Sequence, residues 1–88
     1  RWDYPRSVWI GTLPSGDLLN VVWFQKEGRS VWELYRPSGE LVGRTSVDRP
    51  YRPFTMAPNG DVIASLVREE TGEHYLVRVT VTAVDGTR

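Results

Sequence analysis

Along most of the chain, short runs of β-branched and aromatic residues alternate with polar stretches that contain glycine or proline. Val, Ile, Trp, Tyr and Thr favour extended backbone, and the runs have the lengths of ordinary strands. Glycine and proline between them favour tight turns. The pattern predicts an all-β fold with strands at Ser7–Leu13, Leu18–Gln25, Ser30–Arg36, Leu41–Val47, Tyr51–Ala57, Val62–Arg68 and His74–Thr82.

Three of the polar stretches share one motif: proline, then Ser or Asn, then Gly, then an acidic residue. Proline presets φ at the first corner of a type I turn, and Gly takes the left-handed conformation that produces a G1 bulge. Each motif therefore predicts the tip of a β-hairpin. The three tips are Pro14–Asp17, Pro37–Glu40 and Pro58–Asp61; two charged tips follow at Lys26–Arg29 and Glu70–Glu73, and a last turn at Val84–Gly86.

The segment DVIASLVREE (61–70) also fits a second interpretation. Val62, Ile63, Leu66 and Val67 would share one face of a helix, with Asp61 as its cap. We favour a strand, because the corresponding earlier segment DLLNVVWFQ (17–25) contains bulky β-forming residues that fill the gaps in the helical pattern.

The motifs recur because the sequence repeats with a shift of 44 residues. A unit of this length holding four strands has the size of one blade of a β-propeller. We predict two tandem four-stranded antiparallel meanders, the first at about 6–47 and the second at about 51–88, with the second lacking its own outer strand. The shift superposes Pro14 on Pro58, Gly16 on Gly60, Asp17 on Asp61 and Gly28 on Gly72.

The second strand of each unit is apolar on both faces. In the first unit, Leu19, Val21 and Trp23 share one face, while Leu18 and Val22 lie on the other. The strand at 74–82 instead alternates apolar and polar residues. Because a strand that is apolar on both faces must be covered on both faces, each sheet is expected to lie between two others.

The segments VWELYRPSGELVG (31–43) and FTMAPNGDVIASLV (54–67) resemble the strand–turn–strand patterns of NHL-like six-bladed β-propellers. This resemblance covers both units and implies that each is a blade. In such propellers the outer strand missing from the last blade often comes from the N-terminal end of the whole chain, which implies the last two blades of a longer propeller. Two stacked units leave two faces uncovered, so we expect self-association or further blades.

Composition and charge restrict the possible partners. The 88 residues suit one small domain, and 11 basic residues balance 11 acidic ones. Nucleic acid and anionic membranes usually require a basic face, so we predict neither as a partner. The chain has no cysteine, which excludes disulfides and thiolate metal sites. No apolar run is long enough to span a membrane, so we expect a soluble protein of unknown compartment.

No set of residues predicts catalysis. His74 is the single histidine and follows a charged turn, where a solvated residue at the start of a strand is a simpler interpretation than a base or ligand. Asp17 and Asp61 could bind Ca²⁺, but turn capping explains them. The serines lack a His–Asp partner set, and most glutamates lie in charged turns. We predict no catalytic residue, metal or cofactor.

Aromatic residues divide between core and surface. Trp9, Trp23 and Trp32 lie within predicted strands and are expected in the core, while Trp2 precedes the first strand and fits either place.

The candidate binding surface is the loop that precedes each unit. WDYPR and DRPYRP each combine Asp, Pro, Tyr and Arg, and Tyr and Arg commonly anchor interfaces. In propeller geometry these loops share a rim with Lys26, Arg29, Glu70 and Glu73. The alternative is that Asp and Arg only fasten neighbouring blades through salt bridges. The candidate binding residues are Asp3, Tyr4, Arg6, Asp48, Arg49, Tyr51 and Arg52.

Three functional hypotheses follow. The first is a non-enzymatic propeller segment that acts as a scaffold or recognition module for a protein, peptide or glycan. The second is part of a propeller-fold enzyme, a hydrolase or lyase, whose catalytic residues lie in other blades. The third is a structural repeat protein whose copies assemble into a ring.

Overall fold

The computed structural model describes residues 7–68 and 70–82, which form seven β-strands and no helix. Strands β1–β4 form one antiparallel sheet in the order β1-β2-β3-β4, and β5–β7 form another in the order β5-β6-β7. The fold is therefore all-β, with two consecutive meanders, the second one strand shorter, as predicted. The strands are β1 (Ser7–Thr12), β2 (Leu18–Phe24), β3 (Arg29–Tyr35), β4 (Leu41–Val47), β5 (Arg52–Met56), β6 (Val62–Val67) and β7 (His74–Val79).

No helix in the described part of the chain could cross a bilayer.

The proline turns have the predicted bulge geometry. Gly16, Gly39 and Gly60 have φ of 95°, 97° and 96°, a region that favours glycine. Contrary to expectation, the amides are not capped by the acidic side chains. Ser15 Oγ accepts a hydrogen bond from the backbone N–H of Asp17 at 3.3 Å, and Asn59 Oδ1 accepts one from the backbone N–H of Asp61 at 3.1 Å. Those short polar side chains close the turns two residues ahead of themselves, which leaves the carboxylates free for other partners.

The alternative helix at 61–70 is wrong. Val62–Val67 is the central strand of the second sheet, paired with β5 on one side and β7 on the other. Pairing also explains why β7 ends at Val79 rather than at Thr82 as predicted. Val79 lies opposite Val62, where β6 begins, so later residues have no partner on that strand.

One hydrophobic core lies between the inner faces of the two sheets. Strands β2 and β3 of the first sheet and β6 of the second supply its buried side chains. Trp9 and Trp23 pack against this core while Trp32 lies within it, which confirms three aromatic assignments; Trp2 lies outside the described residues. The buried residues that form this core cluster are Leu19, Val21, Trp32, Leu34, Val62 and Ala64.

The outer faces of the two sheets also carry apolar residues. In the first sheet Leu18 and Val22 are half-buried, and Ile10 is 65% exposed. In the second sheet Phe54 and Leu76 are 57% and 60% exposed. Strand β2 is thus covered on one face by the second sheet, and its other face carries the apolar residues that the sequence indicated.

Candidate functional site

Three connections meet at one end of the paired sheets, because successive antiparallel strands finish at opposite ends of a sheet. They are the β2–β3 turn, the β4–β5 linker and the β6–β7 turn. We call this end of the sheets the linker rim and define it by residues 25–29, 48–52, 67–68 and 70–74. It contains Asp48, Arg49, Tyr51 and Arg52, four of the candidate binding residues. The other three, Asp3, Tyr4 and Arg6, lie outside the described residues.

The backbone of the linker is held by a buried serine. Ser30 is 0% exposed, and its hydroxyl donates to the carbonyl oxygen of Arg49 at 2.7 Å. The same oxygen, Ser30 Oγ, accepts the indole N–H of Trp32 at 2.9 Å. The Tyr51 amide also donates to the Arg49 carbonyl at 2.9 Å, which makes a tight turn. The linker therefore has a defined backbone course before any ligand binds.

Tyr51 fastens the linker to the core. Its ring meets that of Trp32 edge to face, with centroids 5.9 Å apart and planes at 81°. Such aromatic pairs contribute about 0.5–1.5 kcal/mol beyond the area that they bury. Tyr51 is only half-buried, so part of this fixed ring remains available at the linker rim.

The charged side chains of the linker are exposed. Asp48, Arg49 and Arg52 make no ion pair with another residue of the described ranges. Ser30, Trp32 and Tyr51 hold the linker through a backbone carbonyl and a ring. The guanidinium groups of Arg49 and Arg52 are consequently presented on a backbone held by other residues.

Two other arginines of the linker rim have partners. Arg29 pairs with Glu27 at 2.9 Å and lies over the Phe24 ring, 4.3 Å from its centroid. Arg68 lies 3.9 Å from Glu73 and 5.0 Å from the centroid of the Tyr75 ring. Both pairs are exposed, and such pairs contribute little to stability.

The charged residues expected around the linker, Lys26, Arg29, Glu70 and Glu73, all lie on the linker rim. Lys26 and Glu70 are exposed there.

A cleft of about 300 Å³ opens on the linker rim. It exists because β5 begins at Arg52, opposite Ser65, so Leu66 and Val67 have no partner on that side. In the first sheet the equivalent residues, Val22 and Trp23, are paired with β1. The cleft residues are Gln25, Pro50, Arg52, Ser65, Leu66, Val67 and His74.

Of the cleft residues, only Arg52 was a candidate from sequence. Gln25, Ser65 and His74 come from three different strands or strand ends, and their proximity depends on how the sheets pack. One local signal was present: Pro50 and Pro53 flank the start of β5, and proline lacks the N–H that a strand needs for pairing. His74 is exposed at the first position of β7, as expected.

Away from the linker rim, Glu33 forms a polar network on the outer face of the first sheet. It accepts hydrogen bonds from Asn20 Nδ2 at 3.0 Å, Tyr35 Oη at 3.1 Å and Arg44 Nε at 2.7 Å. Partial burial raises the pKa of Glu33, but the three hydrogen bonds together outweigh it and hold the pKa below the ordinary value. All three donors stabilise the charged form, so this carboxylate is poorly suited to accept a proton.

The carboxylate of Asp61 also accepts hydrogen bonds from neighbouring side chains. Arg78 Nε donates to its carboxylate at 2.7 Å, and Asn59 Nδ2 donates at 3.2 Å. The Arg78 hydrogen bond is the main cause of the lowered pKa of Asp61. Within residues 7–68 and 70–82 there is also no cluster of three metal-ligating side chains.

In comparisons with known proteins, the chain matches no family model, no curated protein and no solved structure. The resemblance to NHL-like propellers rests on the turn and strand pattern and stays a prediction. The functional argument therefore depends on the linker rim and on the uncovered sheet faces.

Proposed function

We propose that this chain contributes two blades to a β-propeller and acts as a non-enzymatic recognition module. The linker rim is the surface that receives the partner, which we take to be a protein, peptide or glycan. Asp48, Arg49, Tyr51 and Arg52 make the contacts, joined by Asp3, Tyr4 and Arg6 of the matching sequence motif.

The observation that carries this proposal is the separation between fastening and presentation in the linker. Ser30 and Trp32 hold the backbone, while the Arg49 and Arg52 side chains are exposed. Binding costs less when the contact residues are already ordered, because less conformational entropy is lost. Arginine and tyrosine are also, with tryptophan, enriched among the residues that dominate binding free energy.

A double substitution tests the proposal. The wild-type chain is first screened on peptide and glycan arrays, and the affinity of the strongest binder is measured by calorimetry. The variant Arg49→Ala/Arg52→Ala should weaken that affinity at least about tenfold, since interface arginines often contribute 2 kcal/mol or more. The midpoint of thermal unfolding should stay within a few degrees of wild type.

Arg36→Ala is the matched control, because Arg36 is an exposed arginine in the β3–β4 turn, at the end of the sheets away from the linker rim. It should change neither affinity nor unfolding midpoint. If the double variant instead unfolds much earlier at unchanged affinity, these arginines are fasteners, and the recognition proposal fails.

A second candidate function, structural self-assembly, is favoured by the way the two sheets stack. Ile10 pairs with Asn20, and Pro53 pairs with Ala64, the repeat counterpart of Asn20. Exposed Ile10 therefore occupies the position that buried Pro53 occupies in the other sheet. Leu76 likewise pairs with Ser65, and Trp32 pairs with Val21, the repeat counterpart of Ser65. Exposed Leu76 therefore occupies the position of buried Trp32.

Each uncovered face is thus the repeat equivalent of a face that is already covered. We call the face with Trp32 or Leu76 the front of its sheet, and the face with Ile10 or Pro53 the back. The front of the first sheet lies on the back of the second sheet. The back of the first sheet and the front of the second remain free. These free faces are suited to further sheets of the same kind, from other copies or from a longer chain.

A further inference from the structure

Two buried serines in this fold differ in their hydrogen bonding. Ser30 is 0% exposed and its hydroxyl both donates and accepts. Ser65 is 5% exposed and lines the cleft, yet no hydrogen bond joins its hydroxyl to another described side chain or backbone group. Ser65 is therefore a nearly buried residue of the cleft lining whose hydroxyl has no hydrogen-bond partner among the described residues. A nearly buried hydroxyl without a protein partner favours a polar ligand.

The other polar side chains of the cleft are all able to donate hydrogen bonds. Arg52 supplies a permanent positive charge, Gln25 an amide, and His74 at least one ring N–H in either charge state. No acidic side chain lines the cleft among the described residues. Four donors, one of them a fixed cation, line the cleft and complement an anion, and the planar guanidinium is able to bind both oxygens of a carboxylate at once.

We propose that the cleft binds a carboxylate group of an acidic peptide, with Arg52 and Ser65 as its principal donors. This inference rests on the recognition function proposed above and specifies the chemistry of its ligand. Leu66, Val67 and Pro50 form the apolar part of the lining and pack against the carbon atoms next to the carboxylate. A volume of about 300 Å³ lies at the small end of ligand pockets, so it accommodates one or two residues of a peptide.

Three small probes test the inference on the full 88-residue chain. N-acetyl-aspartate methylamide carries a side-chain carboxylate, N-acetylalanine carries a terminal one, and N-acetyl-asparagine methylamide is the neutral isostere of the first. Titrations are followed by the ¹H–¹⁵N amide signals. At least one carboxylate probe should shift the signals of Ser65–Val67 and His74 in a saturable way, and the neutral probe should not. The stronger carboxylate probe identifies the source, a side chain or a chain end.

Single substitutions then connect binding to the named donors. Ser65→Ala should weaken the carboxylate probe about tenfold, as expected for one hydrogen bond from a neutral donor to a charged acceptor. Arg52→Gln should weaken it about tenfold or more, since its bond is charge-assisted. Ser46→Ala and Arg36→Gln are the controls, because both residues are exposed and outside the cleft. The dispersion of the amide signals shows whether each variant is folded.

Equal binding of the neutral probe, or shifts centred away from the cleft, would overturn the inference on the wild-type chain alone. Unchanged affinity in folded Ser65→Ala would do the same. Failure here is distinct from failure of the recognition function. If no carboxylate probe binds but an array ligand loses affinity in Arg49→Ala/Arg52→Ala, only the ligand class is wrong. If the carboxylate probes bind and no array ligand is found, the recognition function fails instead.

Discussion

At the scale of single residues, the polar side chains within strands do specific structural work. Glu33 lies in the middle of β3, and its side chain is only 14% exposed. A carboxylate in that position is tolerated because Asn20, Tyr35 and Arg44 supply donors. Its charge therefore links the stability of the first sheet to pH.

The sign of this pH dependence follows from the direction of the pKa shift. The folded state holds the pKa of Glu33 below its ordinary value of 4.5. The network therefore stabilises the fold fully above that value, and the contribution is lost as the pH falls through the lower, folded-state pKa. Glu33→Gln should reduce the free energy of unfolding at neutral pH, and its curve should approach that of wild type in acid. Urea unfolding between about pH 7 and 3 measures both effects.

Glu40→Gln is the control for this prediction. Glu40 is 70% exposed and pairs with Arg36 at 3.5 Å, an exposed pair that contributes little. A loss of acid dependence in Glu40→Gln equal to that in Glu33→Gln would contradict the assignment to the network.

At the scale of elements, the repeated turns contact one another. A methyl group added at Gly60 in the β5–β6 turn would lie 3.1 Å from Pro14 Cδ and 3.4 Å from Leu13 Cδ2 in the β1–β2 turn. Gly39, in the third turn of the same type, has open space at that position. Gly60 therefore has a packing role in addition to the conformational role that all three turns share.

Comparing Gly60→Ala with Gly39→Ala separates these roles. Both variants place a side chain at positive φ, which costs about 1–2 kcal/mol. Gly60→Ala should destabilise by about 1 kcal/mol or more beyond that, since the proline ring cannot rotate away. The difference between the two free energies of unfolding in urea measures the packing between turns. Equal losses in the two variants would show that this contact is not tight.

Local patterns predicted the elements because the determinants of each element lie close together in sequence. The Pro–Ser/Asn–Gly motifs predict the turn geometry, and β4 begins and ends where it was predicted, at Leu41 and Val47. The ends of β5 and β7 were placed too far out, because a strand ends where its neighbour stops pairing.

The candidate site was predictable only in part for the same reason. Arg49, Tyr51 and Arg52 were identified from the residue types in one loop. The serine that holds that loop lies 19 residues earlier, on another strand. Ser65 was not identified because its importance arises from the short β5 and not from its sequence neighbours.

At the scale of the whole molecule, the two sheets stack front to back and leave one face of each kind open. An interface between unlike faces is heterologous, and it closes into a ring when the rotation between copies allows. With two sheets in each chain, three copies would form the six-sheet ring of the self-assembly hypothesis. The two open faces carry Ile10 and Leu76 at 65% and 60% exposure, so each can be blocked separately.

If self-assembly is correct, sedimentation and light scattering should give three times the chain mass for wild type. Ile10→Asp and Leu76→Asp should each be monomeric, because a buried unpaired charge is costly in any ring. Mixing the two variants should restore a dimer and nothing larger, since the intact front of Ile10→Asp then meets the intact back of Leu76→Asp. A symmetric interface between like faces would behave differently, because one variant would still dimerise alone. A wild-type chain that remains monomeric at all accessible concentrations would remove self-assembly, and the open faces would then belong to partners of another kind.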